Sequence, residues 1–270
     1  TALLDEHPQR NAYRARLLGD AARMHLASGR FEDALALYQQ SLSIRREIGD
    51  RTGESTTLNN IGEIYRVQGN YDKALPLYEQ SIAIFREAGN KEKEVGILNN
   101  IGAIYHAKGQ YHQALSYLQQ GLAITQKIED KKVESAILNN IGEVHRAQGD
   151  YATALEYLEQ SLSLSRKIGD REGEGTTLNN ISQIYKARGD YDKTLTYLEQ
   201  SLNISREIGN RAGDAGTSWN IGRIDQDQGD LAKAEEYIAQ AVQLAEEIGH
   251  PKLEEWRKAL EELRAEMKGR

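Results

Sequence analysis

Apolar residues recur three and four positions apart along most of this chain, which is the spacing of one face of an α-helix. One such run contains Leu58, Ile61 and Tyr65, and it stops at Gly69. Glycine readily adopts the left-handed conformation that ends a helix, so Gly69 is a predicted helix end. A second helical run begins directly afterwards, at Tyr71. The pattern therefore predicts a pair of helices joined by a short turn.

This pair of helices is repeated along the chain with a period of 40 residues. Asn-Asn-Ile-Gly at 59–62 returns at 99–102 and 139–142, then as Asn-Asn-Ile-Ser at 179–182 and Trp-Asn-Ile-Gly at 219–222. One hairpin cannot bury its apolar face alone, so neighbours must stack, and the sequence predicts an all-α solenoid. Within residues 1–250 the sequence predicts six hairpins: 11–48, 51–88, 91–128, 131–168, 171–208 and 211–248. A C-terminal capping helix is predicted over 251–270.

The order of large, small and aromatic residues at Leu58, Gly62, Tyr65, Ala74 and Tyr78 resembles the tetratricopeptide repeat. That repeat usually has a period of about 34 residues. The longer form here is similar to the repeats of kinesin light chain and of the spindle-orientation adaptor Pins. The resemblance implies a right-handed superhelix whose concave wall is built from the first helix of each pair. It also implies that peptides or other proteins bind on that wall.

A helical wheel gives the first helix of each pair an apolar face and an opposite face that carries asparagines. The asparagines form two rows along the repeats: Asn59, Asn99, Asn139 and Asn179, then Asn60, Asn100, Asn140 and Asn180. A carboxamide both donates and accepts hydrogen bonds, so these rows suit the binding of a peptide backbone of any sequence. The alternative is that one row bonds between adjacent helices and serves stability only, an interpretation favoured for the second row.

The same face carries charged residues and one tryptophan. The candidate ligand-binding residues besides the asparagines are Arg66, His106, Arg146, Lys186, Trp219 and Arg223. With Arg16 and Arg23 included, six basic side chains stand against four acidic ones, a balance of +2. Such an excess would steer an acidic ligand toward the wall. Trp219 is an anchor for a ligand or, alternatively, fills core space beside Ser218.

Composition narrows the classes of partner. The chain of 270 residues has a net charge of −7 and no cysteine. A negative balance argues against general nucleic-acid binding, which needs a basic face. No apolar run approaches the roughly 20 residues of a membrane span. Without cysteine a reducing compartment is permitted, and we expect a cytoplasmic location.

The sequence contains no phosphate loop, dinucleotide fingerprint or zinc-helix motif. We therefore expect no enzymatic activity, no cofactor and no metal. The predicted function is a scaffold that binds a peptide or protein segment, with an acidic segment as one candidate ligand. Two alternatives stay open: a sensor arm of a larger signalling enzyme or transcriptional regulator, since the chain begins with Thr1, and a scaffold that associates with itself.

Overall fold

The computed structural model describes the backbone of residues 2–269 and the side chains of residues 9–269. Thr1 and Arg270, the end residues of the predicted domains, lie outside the described residues. Within the described part, thirteen α-helices account for all regular structure: α1 Ala2–Ala27, α2 Phe31–Glu47, α3 Arg51–Val67, α4 Tyr71–Glu87, α5 Lys91–Ala107, α6 Tyr111–Ile128, α7 Lys131–Ala147, α8 Tyr151–Ile168, α9 Arg171–Ala187, α10 Tyr191–Glu207, α11 Arg211–Gln228, α12 Leu231–Ile248 and α13 Leu253–Gly269.

Local sequence signals set where the helices begin and end. The carboxylate of Asp50 accepts a hydrogen bond from the amide of Gly53 at 2.8 Å and so caps the start of α3. After α3, Gly69 has φ +73°, the left-handed conformation predicted for a helix-ending glycine. The sequence placed the start of the first hairpin at residue 11, whereas α1 already begins at Ala2.

The first of two compact units comprises Thr1–Glu129. Its helices pack as the pairs α1–α2, α3–α4 and α5–α6, and α2 also packs on α3 as α4 does on α5. The interior holds fully buried rings such as Tyr38, Tyr78 and Phe85. Leu98 and Ile101 of α5 lie in the same apolar cluster as Tyr78 and Phe85. The helices α2 to α5 thus each pack against both a partner helix and a neighbouring hairpin.

The second compact unit comprises Asp130–Arg270. Its pairs are α7–α8, α9–α10 and α11–α12, with α8 on α9 and α10 on α11, and α7 also contacts α9 directly. The last helix, α13, packs on α12 and buries Trp256, Leu260 and Leu263. It therefore covers the apolar face that α12 would otherwise expose, as predicted for an end cap.

A repeated ion pair joins each hairpin to the next within these units. An arginine near the end of one hairpin's second helix reaches a carboxylate in the first turn of the following helix. The pairs are Arg46–Glu54 at 2.8 Å, Arg86–Glu94 at 2.7 Å, Arg166–Glu174 at 2.8 Å and Arg206–Asp214 at 3.3 Å. The three glutamates are buried, so a substitution that removes the arginine would leave a buried carboxylate with fewer hydrogen bonds and would destabilise the junction.

Candidate functional site

The first helices of the second to sixth hairpins each keep a polar strip partly accessible beside a buried apolar face. In α3, Leu58, Ile61 and Ile64 are buried, whereas Asn59 and Asn60 are half-buried. We call this strip the polar wall of each unit; α3 and α5 form it in the first unit, and α7, α9 and α11 form it in the second. Seven of the eight asparagines in the two predicted rows are half-buried on it: Asn59, Asn60, Asn99, Asn100, Asn140, Asn179 and Asn180.

The polar wall of the second unit contains a cleft between α7 and α9. The cleft has a volume of about 300 Å³, and Ala136, Asn139 and Asn140 of α7 line one side of it. Thr176 of α9 lies on the other side. At one edge, the Nζ atom of Lys132 is 3.8 Å from a carboxylate oxygen of Asp170. The cleft therefore offers carboxamides and small side chains, with an ion pair beside them.

Small residues next to the asparagines are the feature that sequence reasoning missed. The positions equivalent to Ala136 and Thr176 are small in all five repeats that carry the asparagine motif: Thr56, Gly96, Ala136, Thr176 and Gly216. A small side chain leaves room between neighbouring first helices, and Ala136 and Thr176 do so in the cleft. The 40-residue recurrence of small residues was the available signal.

Some of the asparagines bond to other protein groups. The Nδ2 of Asn180 donates to the Oδ1 of Asn139 at 3.0 Å, which links α9 to α7. Asn139 is also the most buried member of the rows, at 9% exposure. At the Asn139–Asn180 step the two rows thus bond to each other, rather than one row bonding along itself.

Arg66 on the wall of the first unit is held in a closed ion pair. Its guanidinium donates to both carboxylate oxygens of Glu63, at 2.8 and 2.5 Å, and the hydroxyl of Tyr78 donates to Glu63 at 2.9 Å. Burial favours the neutral form of Glu63, but the hydrogen bonds from Arg66 and Tyr78 outweigh it and hold the pKa of this carboxyl below its ordinary value. Burial and the adjacent Glu63 raise the pKa of Tyr78. The charge of Arg66 is therefore largely compensated.

The remaining predicted basic residues differ in how far carboxylates compensate them. Arg146 donates to both oxygens of Glu143, at 2.9 and 3.0 Å, which repeats the arrangement of Arg66. On α9 the residue at the position of Glu143 is Gln183, so Lys186 has no acid at that position. On α11 the arginine, Arg223, occupies the position of Glu143, and Gln226 occupies the position of Arg146. Arg223 donates to Gln226 at 2.7 Å. On the wall, Lys186 of α9 is therefore the cation whose equivalent acid position is uncharged, whereas α11 carries Asp227 as well as Arg223.

The two predicted aromatic side chains of the wall are both packed against other rings. Trp219 is half-buried and stacks on Trp256 of α13, with ring centroids 4.8 Å apart and planes within 6°. Arg223 lies over the ring of Trp219 at 5.9 Å. His106 is half-buried beside Tyr111, 5.9 Å between centroids. Trp219 thus joins the wall to the capping helix.

Other kinds of site find no support in the described part of the chain. It holds no group of three or more His, Cys, Asp or Glu side chains that could bind a metal ion. Nor is any helix described here long and apolar enough to cross a bilayer.

Comparison with known families identifies the family to which this helical architecture belongs. Two models, both described as tetratricopeptide repeat, match the chain; one covers residues 13–87, 53–127 and 133–207, and the other covers residues 215–248. The chain belongs to the tetratricopeptide repeat family, and the predicted all-α solenoid class is confirmed. No curated protein matches the sequence.

Solved structures of similar fold are distant in sequence. Aspartyl phosphate phosphatase F from Bacillus subtilis is 14% identical with a TM-score of 0.73, over 96% of this chain and 72% of that one. The putative kinesin light chain repeats of Podospora anserina are 22% identical with a TM-score of 0.61, over 76% and 98%. A Rap protein complexed with Competence and Sporulation Factor is 13% identical with a TM-score of 0.68, over 95% and 76%. At these identities the likeness concerns the fold alone.

Proposed function

We propose that this chain is a binding scaffold that holds an extended segment of another protein on its polar wall and carries no catalytic chemistry. The observation that carries the proposal is the cleft between α7 and α9, where Asn139 and Asn140 lie beside the small residues Ala136 and Thr176. A carboxamide can donate to a peptide carbonyl and accept from a peptide amide. The small side chains leave room for the peptide main chain to approach.

The Asn139–Asn180 hydrogen bond gives one side of the cleft a fixed geometry, because it links α7 to α9. Asn139 and Asn140 both line the cleft, and Asn140 is the more exposed of the two. The proposal therefore places the bound main chain over the cleft that these two asparagines line beside Ala136 and Thr176.

The charge pattern favours a ligand with acidic residues. Arg146 is paired with Glu143, but the wall positions of α9 and α11 carry Lys186 and Arg223 beside the uncharged Gln183 and Gln226. An acidic segment bound across α7 and α9 would extend its negative side chains toward these two cations. A Rap protein of similar fold has been solved in complex with a factor, which supports binding as a use of this fold.

The test is a selection of random unstructured peptides on the full chain, followed by affinity measurements on two variants. Thr176→Trp places a large ring in the cleft at an exposed position, whereas the control Ser163→Trp places the same ring at an exposed position on α8. Both variants should keep the wild-type circular dichroism spectrum. We expect the selected peptides to bind Ser163→Trp like the wild type and Thr176→Trp at least about tenfold more weakly, a loss of about 1.4 kcal/mol.

Equal binding to Thr176→Trp would show that the selected peptides sit elsewhere on the molecule. If no peptide is enriched on the wild type, the proposal of a linear segment as ligand fails.

A further inference from the structure

The first helix exposes an apolar face that every later hairpin buries. Leu17 and Met24 of α1 are 48% and 71% exposed. Their equivalents 40 residues later, Thr57 and Ile64, are 3% and 0% exposed. The other equivalents are buried as well: Ile97, Ile104, Ile137, Val144, Thr177, Ile184, Thr217 and Ile224. Tyr13, one turn before Leu17, is also exposed and completes an apolar stripe along one side of α1.

What covers the equivalent face elsewhere is the second helix of the preceding hairpin. In the first unit α2 packs on α3 and α4 packs on α5, and in the second unit α8 packs on α9 and α10 on α11. The face of α1 has the same position in the repeat, and α2 packs on the other side of α1 through Ala15 and Ala22. The shape of the occupant is therefore given by the fold: a helix of about 17 residues lying across the stripe, like α4 or α10.

The charge beside this stripe is opposite to the charge in the later hairpins. The first-turn acids Glu54, Glu94, Glu134, Glu174 and Asp214 correspond to Arg14 of α1. The N-cap residues Asp50, Asn90, Asp130, Asp170 and Asn210 correspond to Arg10. Arg10 and Arg14 are both exposed. In the later hairpins the acids accept hydrogen bonds from arginines of the covering helix, such as Arg46 and Arg206. A covering helix of that kind would instead bring an arginine against Arg14.

We infer that the face formed by Arg10, Tyr13, Arg14, Leu17 and Met24 is a docking site for an acidic amphipathic helix of a partner protein. The apolar side of that helix covers the stripe, and a carboxylate takes the place that an arginine holds in α2 or α10. Such a carboxylate gains a charge-assisted hydrogen bond with Arg14.

A second copy of this chain fits the face poorly. Two α1 faces brought together would oppose arginine to arginine, which is unfavourable. The apolar face of α12 is not open to α1 of a second copy either, because α13 packs its Trp256, Leu260 and Leu263 against it. This inference concerns a different surface from the polar wall and does not depend on the proposed peptide ligand.

The test uses two helical peptides taken from the chain itself, both with the sequence of residues 191–207. One keeps Arg206, and the other carries Arg206→Glu, which replaces the arginine that pairs with Asp214. Both peptides also carry Asn203→Lys, so that a lactam bridge from Glu199 to the new amine keeps them helical; both positions are exposed in α10. We expect the Arg206→Glu peptide to bind the wild-type chain at least about tenfold more tightly than the peptide that keeps Arg206. On an Arg14→Glu chain the preference should be reversed.

A Leu17→Ser, Met24→Ser chain should lose binding of both peptides while its thermal unfolding stays close to that of the wild type, because both residues are exposed. Thr176→Trp, which fills the cleft of the second unit, should leave peptide binding unchanged. The inference is overturned if neither peptide binds, or if Arg14→Glu leaves their relative affinities unaltered. It is also overturned if light scattering of the chain alone shows a dimer that Leu17→Ser, Met24→Ser dissociates, since the occupant would then be a second copy.

Discussion

The second hairpin, α3–α4, and the sixth, α11–α12, are built on the same 40-residue repeat. They differ at equivalent positions that face the polar wall. In the second, Glu63 binds Arg66 and Tyr78 in a closed network. In the sixth, Arg223 stands where Glu63 does, and Ile238 replaces the tyrosine. The apolar isoleucine offers no hydroxyl to a carboxylate. The fourth hairpin keeps the Glu143–Arg146 pair with Leu158 at the tyrosine position, so the tyrosine of the second hairpin adds a further donor to the carboxylate and is not required for it.

A second difference concerns the residue that packs between the two helices of a hairpin. The fifth hairpin stacks Tyr185 on Tyr197, 5.4 Å between centroids. The sixth has Asp225 at the position of Tyr185, 4% exposed, and the buried Oδ2 of Asp225 has no hydrogen-bond partner. Burial raises the pKa of Asp225, and Lys233 only partly opposes that effect. The sixth hairpin therefore contains a buried carboxylate where others contain a ring.

The largest effect expected from this comparison is at the contact glycines. A methyl group on Gly222 would lie 2.6 Å from Cγ1 of Ile238 and 3.1 Å from the carbonyl oxygen of Ala234, whereas on Gly62 it would lie 3.0 Å from the ring of Tyr78. We expect Gly222→Ala to lower the free energy of unfolding by about 2–3 kcal/mol, and Gly62→Ala by less than about 1 kcal/mol. Urea denaturation measures both, and equal losses would contradict the difference in packing.

The next effect concerns the closed network of the second hairpin. Glu63→Ala removes the acceptor for both Arg66 and the buried Tyr78, so we expect a loss of about 1–2 kcal/mol in the free energy of unfolding. Arg223→Ala, on the half-exposed wall of α11, should change it by less than about 0.5 kcal/mol. Glu63→Gln, which keeps one acceptor, is the matched control and should lie between the two. If Arg223→Ala lowered the free energy of unfolding as much as Glu63→Ala, the network around Glu63 would not be the source of the difference.

Asp225→Asn should stabilise the sixth hairpin by about 1 kcal/mol at neutral pH, because it removes a buried charge without changing shape. Since the folded pKa of Asp225 lies above its unfolded value, this carboxylate costs stability increasingly as pH rises through the folded pKa. Thermal unfolding of both proteins between pH 3 and pH 8 measures the effect. The two curves should meet below about pH 3.9, the ordinary value for Asp, and separate above it. Parallel curves would show that Asp225 does not cause the difference.

The smallest expected effect is on the affinity for acidic ligands. Arg223→Gln should weaken binding of acidic selected peptides about threefold at low salt and hardly at all at high salt, because an exposed charge is screened. Arg66→Gln, whose charge Glu63 already compensates, should change that affinity less. The readout is fluorescence anisotropy at two salt concentrations. An equal effect of the two substitutions would show that pairing with Glu63 does not reduce the influence of Arg66 on ligand affinity.

Sequence reasoning predicted the helices well and the site only in part. The 3.6-residue spacing of Leu58, Ile61 and Tyr65 and the glycine at residue 69 determine the helix pair locally, without reference to distant contacts. The side-chain partners depend on how far one helix is offset against the next. The bond from Asn180 to Asn139 could not be derived for that reason, since both residues look alike in the repeat. The stacking of Trp219 on Trp256 likewise depends on where the last helix packs.

The arginine–carboxylate pair between hairpins has a consequence for the length of such a chain. Arg46 meets Glu54 with the geometry in which Arg86 meets Glu94, and the two junctions are 40 residues apart. A deletion of residues 51–90 would place Arg46 before Glu94, with the same pair of side chains at the new junction. A duplication of that segment would likewise create a further junction of the same kind. Recombination between repeats can therefore change the number of hairpins by whole units without requiring a new interface to arise.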